Sequence, residues 1–154
     1  MATETAKQEK IKNFADSSPC ICFNVRKASK VITSIYEQMF KPLGITAPQA
    51  ALLATVRRLG PLTVNELAEA VATDRTTLTR NLKILERDSL VNLKPGADKR
   101  VKEVSITATG KDISNESSVI FQRFQDKVHG AVGEERLDAL CHELSDVMEK
   151  IKQM

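Results

Sequence analysis

Three groups of residues in this chain have types and spacings that can do chemistry. They are Cys20-Ile21-Cys22 near the start, Arg75-Thr76-Thr77 with Arg80 and Lys83 in the middle, and Asp98-Lys99-Arg100 just beyond. A thiolate is a nucleophile and a target for oxidants, and Arg26 stands one helical turn from Cys22, where a cation could favour that form. Cys20 and Cys22 sit at i and i+2, about 200° apart on a helix, so an intact helix keeps them from bridging. C-x-C, even with Cys141-His142 added, is not a tetrahedral metal spacing. His129 and His142 are the only histidine bases, both far along the chain, and there is no Gly-rich phosphate loop or paired-carboxylate motif. The expectation is no catalytic residue, no metal and no cofactor. A thiol-based redox enzyme using Cys20 or Cys22 is the alternative that the cysteines leave open.

The threonine and arginine groups suit a different partner. Thr hydroxyls meet donors or acceptors, Thr methyls touch a thymine methyl, and Arg grips guanine through two hydrogen bonds. Charge supports this. The formal net charge is only +3, yet the segment from Asp74 to Lys102 holds eight Lys/Arg against four Asp/Glu. The excess positive charge is therefore concentrated in that segment, an electrostatic footprint for an anionic polymer.

Those side chains need elements to position them. In TDRTTLTRNLKILERDSL, residues 73–90, Leu78, Leu82 and Leu85 form one helical stripe. Thr76, Arg80, Lys83 and Arg87 then fall on the opposite side, flanked by Arg75 and Thr77. A short helix precedes it, opened by the capping box Thr63-Val64-Asn65-Glu66, with Leu67, Ala68 and Val71 facing inward. About two or three residues join the two helices, which makes a helix-turn-helix. Upstream, Thr46-Ala47-Pro48-Gln49 is another capping box and opens a helix that ends at Gly60-Pro61. Downstream, the period changes to that of strands at Leu90–Lys94 and Val101–Ile106. Between them Pro95-Gly96-Ala97-Asp98-Lys99-Arg100 forms a basic turn. An Arg on such a wing tip can enter a narrow minor groove, where the potential is most negative.

The remaining elements are long terminal helices. One runs from Pro19 to Phe40 and stops before Pro42. Another is capped by Thr107 and runs from Ala108 to His129; a last one, after Gly133, carries Leu137, Leu140, Leu144, Val147 and Ile151. These leucines cannot bury themselves alone, so a second copy of the chain is expected. The fold class is mainly α with a small β-hairpin wing, a winged helix-turn-helix with long terminal dimerisation helices. The expected organisation is a polar arm over 1–17, an N-terminal dimerisation helix over 18–45, a DNA-binding lobe over 46–106 and C-terminal dimerisation helices over 107–154. The polar N-terminus lacks a signal core, and no apolar run approaches the ~18 residues of a membrane span, so no membrane partner and a cytoplasmic location are expected.

LTVNELAEAVATDRTTLTRNLKILERDSLV followed by DKRVKEVSITATG resembles the MarR family of regulators, over about residues 19–152. The family's D-x-R pattern stands here as Asp98 and Arg100, and its L-T-x-x-G ending as Ile106-Thr107-Ala108-Thr109-Gly110. The resemblance implies that Arg100 enters the minor groove, that Asp98 orients it, and that the chain forms homodimers through its terminal helices. It implies a transcriptional regulator, more often a repressor. With the basic helix face read above, the expected contacts to double-stranded DNA are Arg75, Thr76, Thr77, Arg80, Lys83, Lys99 and Arg100, and a two-fold dimer would read a pseudo-palindromic operator. Cys22-Phe23 is similar to the C-F of organic-hydroperoxide-sensing repressors in that family, and Tyr36 matches a tyrosine that hydrogen-bonds the reactive thiol there. Arg26 and Ala47 replace further tyrosines of those repressors. The family's other signal is a small phenolic or aromatic acid effector, for which Arg26, Lys27 and Lys30 offer cations. A winged-helix interaction module without DNA binding is the second alternative; the basic recognition face and wing argue against it.

Overall fold

The computed structural model of the chain describes residues 19–96 and 101–154. Helix α1 spans Ile21–Phe40 and a 3-10 turn follows at Lys41–Leu43. Pro42 disfavours helix in the residue before it, and Gly44, at φ 68°, takes the left-handed conformation that ends the turn. Helix α2 spans Ala47–Leu59, with both hydrogen bonds of the Thr46/Gln49 capping box formed. Strand β1, Leu62–Thr63, leads into α3, Val64–Ala70, where the Thr63/Glu66 box is also complete. Helix α4 spans Arg75–Arg87, strands β2 and β3 span Val91–Pro95 and Lys102–Ile106, and helices α5 and α6 span Ala108–Val132 and Glu134–Lys152.

The strands form one antiparallel sheet in the order β1-β3-β2. Val104 of β3 lies opposite both Leu62 and Leu93, and Val91 opposite Ile106. The third strand was not expected. It is two residues long, too short for any alternation to show, and Thr63 serves it while also capping α3. The hairpin strands begin one residue later than their sequence pattern suggested. The link between α3 and α4 runs from Val71 to Asp74, slightly longer than expected, with Ala72 in the left-handed region at φ 49°.

The core lies in the lobe formed by α2, α3, α4 and the sheet. Leu53, Leu67, Leu78, Leu82, Leu85, Val91 and Val104 are fully buried there, with Phe40 and Ile45 joining from the end of α1 and the turn after it. One joint ties this lobe to α5. The Thr107 hydroxyl accepts from Gly110 N and donates toward the carbonyls of Ser89 and Leu90, while Thr107 N donates to Leu90 O at 3.1 Å. Gly110 packs so closely on the Leu90 carbonyl that no Cβ fits. The family-like Thr-x-x-Gly thus has a physical reason: one residue caps the helix and the other lets its first turn touch the lobe.

The terminal helices are the opposite case. α6 has no buried residue and α1 buries only Phe40. No helix among the described residues is long and apolar enough to cross a membrane.

Candidate nucleic-acid interface

The recognition face starts from the cap of α4. Asp74 Oδ1 accepts from Thr77 N at 2.8 Å, which fixes the first turn and holds the Asp74 carboxyl below its usual pKa range. Leu78, Leu82 and Leu85 then set the rotation of the helix, since all three are pinned in the core. The opposite face is left exposed. A shallow groove along it is lined by Arg75, Thr76, Thr79, Arg80, Lys83 and Ile84. A second cleft, between α4 and the wing, adds Asn65 of α3 and Lys102 of β3 to Arg75, Thr79 and Lys83, with Glu86 at its edge.

Of the residues expected to contact DNA, Arg75, Thr76, Arg80 and Lys83 line one groove. Thr77 is exposed on the flank, its backbone N–H used by the cap. Among the described residues no acid pairs with Arg75, Arg80 or Lys83, so their charges are available to phosphates or base edges. Arg87 differs: its guanidinium is engaged by Asp88 at 2.8 Å, which neutralises that end of the face. Sequence reasoning passed over Thr79, Asn65 and Lys102. Thr79 was legible, lying three residues from Thr76 and four from Arg75 and Lys83 on the same face. Asn65 and Lys102 were not, because only the packing of α3 and β3 against α4 brings them near. Asp98, Lys99 and Arg100 lie outside the described residues. The hairpin below them is closed by Gly96 N donating to Val101 O at 2.7 Å.

The thiol residues are placed differently. Cys20 is the N-cap residue of α1, Cys22 lies in its first turn, and both are exposed, as is Cys141. Tyr36 is fourteen residues further along α1 than Cys22, about 21 Å by helical rise. Its hydroxyl donates to Gln125 Oε1 at 3.0 Å, its ring packs on Phe40, Phe121 and Phe124, and burial raises its pKa. Within one chain the thiol and the phenol therefore do not meet. Among the described residues no His, Cys, Asp and Glu cluster could hold a metal.

Tyr36 instead helps line a cavity of about 430 Å³ between α1, α2 and α5. The other walls are Phe40, Ala47, Ala50, Ala51, Ala54, Ser117, Ser118 and Phe121. Arg26, Lys27 and Lys30 are not among them; Arg26 and Lys30 border a separate surface depression on α1.

Comparison with known proteins agrees with this geometry. Residues 45–102, which span the helix-turn-helix and most of the wing, match the MarR family model. The HTH-type transcriptional regulator SarZ of Staphylococcus epidermidis is 33% identical over 103 residues, 66% of this chain and 70% of that protein. The organic hydroperoxide resistance transcriptional regulator of Bacillus subtilis is 32% identical over 91 residues, 58% of this chain and 62% of that protein. The crystal structure of the M. tuberculosis transcriptional regulator MosR in complex with DNA superposes with a TM-score of 0.75 at 32% identity, covering 86% of this chain and 98% of that one. The buried leucine stripe, the exposed basic face and the three-stranded wing are thus those of a known regulator fold, and the chain belongs to the MarR family: it is a winged helix-turn-helix, DNA-binding transcriptional regulator and not an enzyme.

Proposed function

We propose that the chain works as a homodimeric repressor that reads a pseudo-palindromic operator. The observation that carries the reading is the groove on α4, where Arg75, Thr76, Thr79, Arg80 and Lys83 face outward with no acidic partner among the described residues. Helix α4 enters the major groove with its N-terminal turn first, Arg80 contacts a base edge and Lys83 a phosphate. Lys99 and Arg100 of the wing reach the adjacent minor groove, with Asp98 orienting Arg100. Residues 46–106 act as the DNA-binding lobe; 18–45 and 107–154 pair with a second copy.

The pairing reading rests on exposed apolar side chains concentrated on the terminal helices. They include Val31, Ile32 and Ile35 on α1, Val119 and Phe121 on α5, and Leu140, Leu144, Met148 and Ile151 on α6. A small soluble domain seldom leaves so many large apolar groups in water without a partner. Two-fold symmetry then places the two recognition helices on successive turns of the duplex.

Fluorescence anisotropy with DNA upstream of the protein's own gene, against random DNA of equal length, tests the reading. Saturable operator binding at two chains per duplex is the expected result. Equal affinity for both duplexes rejects it.

Release has two candidate signals. The cavity beside Tyr36 favours a small aromatic effector. The similarity to the hydroperoxide resistance regulator favours oxidation of Cys22. Under the second reading, Cys22→Ser binds the operator but no longer leaves it on treatment with organic hydroperoxide, whereas Cys20→Ser still responds. Peroxide release of a variant lacking both thiols excludes cysteine sensing.

A further inference from the structure

We infer that Arg57 is a positioning residue for operator recognition: through Asn115 and Ser118 it holds the angle between the DNA-binding lobe and α5, and so sets which half-site spacing the dimer accepts. This rests on the dimeric, operator-binding reading above and adds to it a residue away from the DNA face. Arg57 lines neither the groove on α4 nor the cleft beside the wing.

The need for such a residue comes from the face that α5 turns to the lobe. The buried residues of α5 are Gly110, Ser114 and Ser117. Glycine and serine are too small to key into the grooves of another helix, and keyed ridges are what fix a crossing angle. The hydroxyls of this face do not fix it either. Ser117 Oγ and Ser118 Oγ donate to the Ser114 carbonyl of their own helix, at 3.0 and 2.7 Å, and the buried Ser114 Oγ has no partner among the described residues. The Thr107 joint pins only the start of α5. Beyond it, Ile113 and Ile120 pack on the core along one flank. Asn115 and Ser118 fall on the other flank by helical spacing.

Arg57 closes that second flank. It stands in the last turn of α2, and its guanidinium donates to Asn115 Oδ1 at 2.7 Å and to Ser118 Oγ at 3.4 Å. Among the described residues no acid competes for it. The guanidinium is a rigid planar fork, so two contacts define a direction as well as a distance. Ser118 has committed its own hydrogen to Ser114 and meets Arg57 as an acceptor. Arg57 and Asn115 are both exposed, so the contact adds little to the core and acts on the angle. The lever is long. Helix α5 has 25 residues, ~37 Å at helical rise, and its far end belongs to the proposed pairing region. A tilt of about 5° at the joint displaces that end by about 3 Å, close to one base-pair step along the duplex.

Fluorescence anisotropy on the full chain tests this, with operator duplexes lengthened or shortened by one base pair at the centre and with a single half-site. The parent is expected to bind each altered duplex about tenfold or more weakly, because one step both displaces and rotates the second half-site. Arg57→Ala and Asn115→Ala are each expected to cut that penalty several-fold, the scale of one charge-assisted hydrogen bond. The double variant goes no further than either single one, because both remove the same contact. Half-site affinity, salt slope and the circular dichroism melt stay close to those of the parent. Should Arg57→Ala not fold, Asn115→Ala carries the same comparison. Spacing penalties unchanged in both variants overturn the inference. It is equally overturned if Arg57→Ala loses half-site affinity and about one unit of salt slope while Asn115→Ala behaves as the parent, which makes Arg57 a phosphate contact. A parent that binds the operator specifically yet tolerates both altered spacings rejects this inference and leaves the DNA-binding reading standing. A parent with no preference for operator over random DNA rejects that reading, and the inference with it.

Discussion

Arg80 lines the groove on α4 with no acidic partner among the described residues, and the proposed reading gives it a bidentate contact to guanine. Arg80→Ala is expected to cost about 1–3 kcal/mol on operator DNA and much less on random DNA. Equal losses on both, by anisotropy at one salt concentration, reduce Arg80 to a phosphate contact. Asp74 acts at the same scale through the helix start. Its pKa is held below the usual aspartate value, first by the hydrogen bond from Thr77 N. Its contribution is therefore complete above the ordinary aspartate range and is lost as pH falls through the lowered value. Asp74→Asn keeps an acceptor and removes the titration. Thermal melts between about pH 7 and pH 3 are expected to fall more steeply for the parent than for this variant. Parallel curves show that the Asp74 cap contributes nothing measurable to stability.

At the scale of elements, the joint between the sheet and α5 carries a paired test. Ala at position 110 pushes a Cβ into the Leu90 carbonyl and pries the helix start from the lobe. Gly110→Ala is expected to destabilise by about 1–3 kcal/mol, the usual cost of overpacking. Gly130, also within α5, has open space where a methyl would stand and no positive φ, so Gly130→Ala is expected to stabilise by up to about 1 kcal/mol. Urea denaturation compares the two, and a neutral Gly110→Ala shows that the helix slides without loss. This element also marks a limit of sequence reading. The Thr107 cap was visible as a residue type at a strand-to-helix boundary; the carbonyl that Gly110 touches was not, because Leu90 is twenty residues away and only the return of β3 brings it there.

For the whole molecule, the exposed leucines of α6 are where the proposed pairing of two chains is tested. Leu140 and Leu144 are 54% and 38% exposed and lie one turn apart on the same face. Leu140→Glu with Leu144→Glu is expected to yield monomers in sedimentation velocity, because two carboxylates cannot be desolvated in an apolar interface. Operator affinity falls with dimerisation, while the lobe, which takes its buried core from other elements, keeps its melt. A double variant that stays dimeric moves the interface to α1 and α5.

Local signals determined much of this protein. Both capping boxes, the leucine stripe of α4, the Thr107 cap and the surplus of basic residues between Asp74 and Lys102 depend on residues near one another in sequence, where helical period and hydrogen-bonding type suffice. Tertiary structure alone decided the rest. Two-residue β1 exists only because β3 comes back to pair with it. Asn65 and Lys102 join the cleft beside Arg75 only because three elements converge there. Tyr36 turns to Gln125 and to a cavity, away from the cysteines on its own helix, because α5 crosses α1 at that end. No periodicity announces a gap between alanines and serines far apart in the chain. A cavity is a property of how two surfaces fail to fill each other, and that is settled only when they meet.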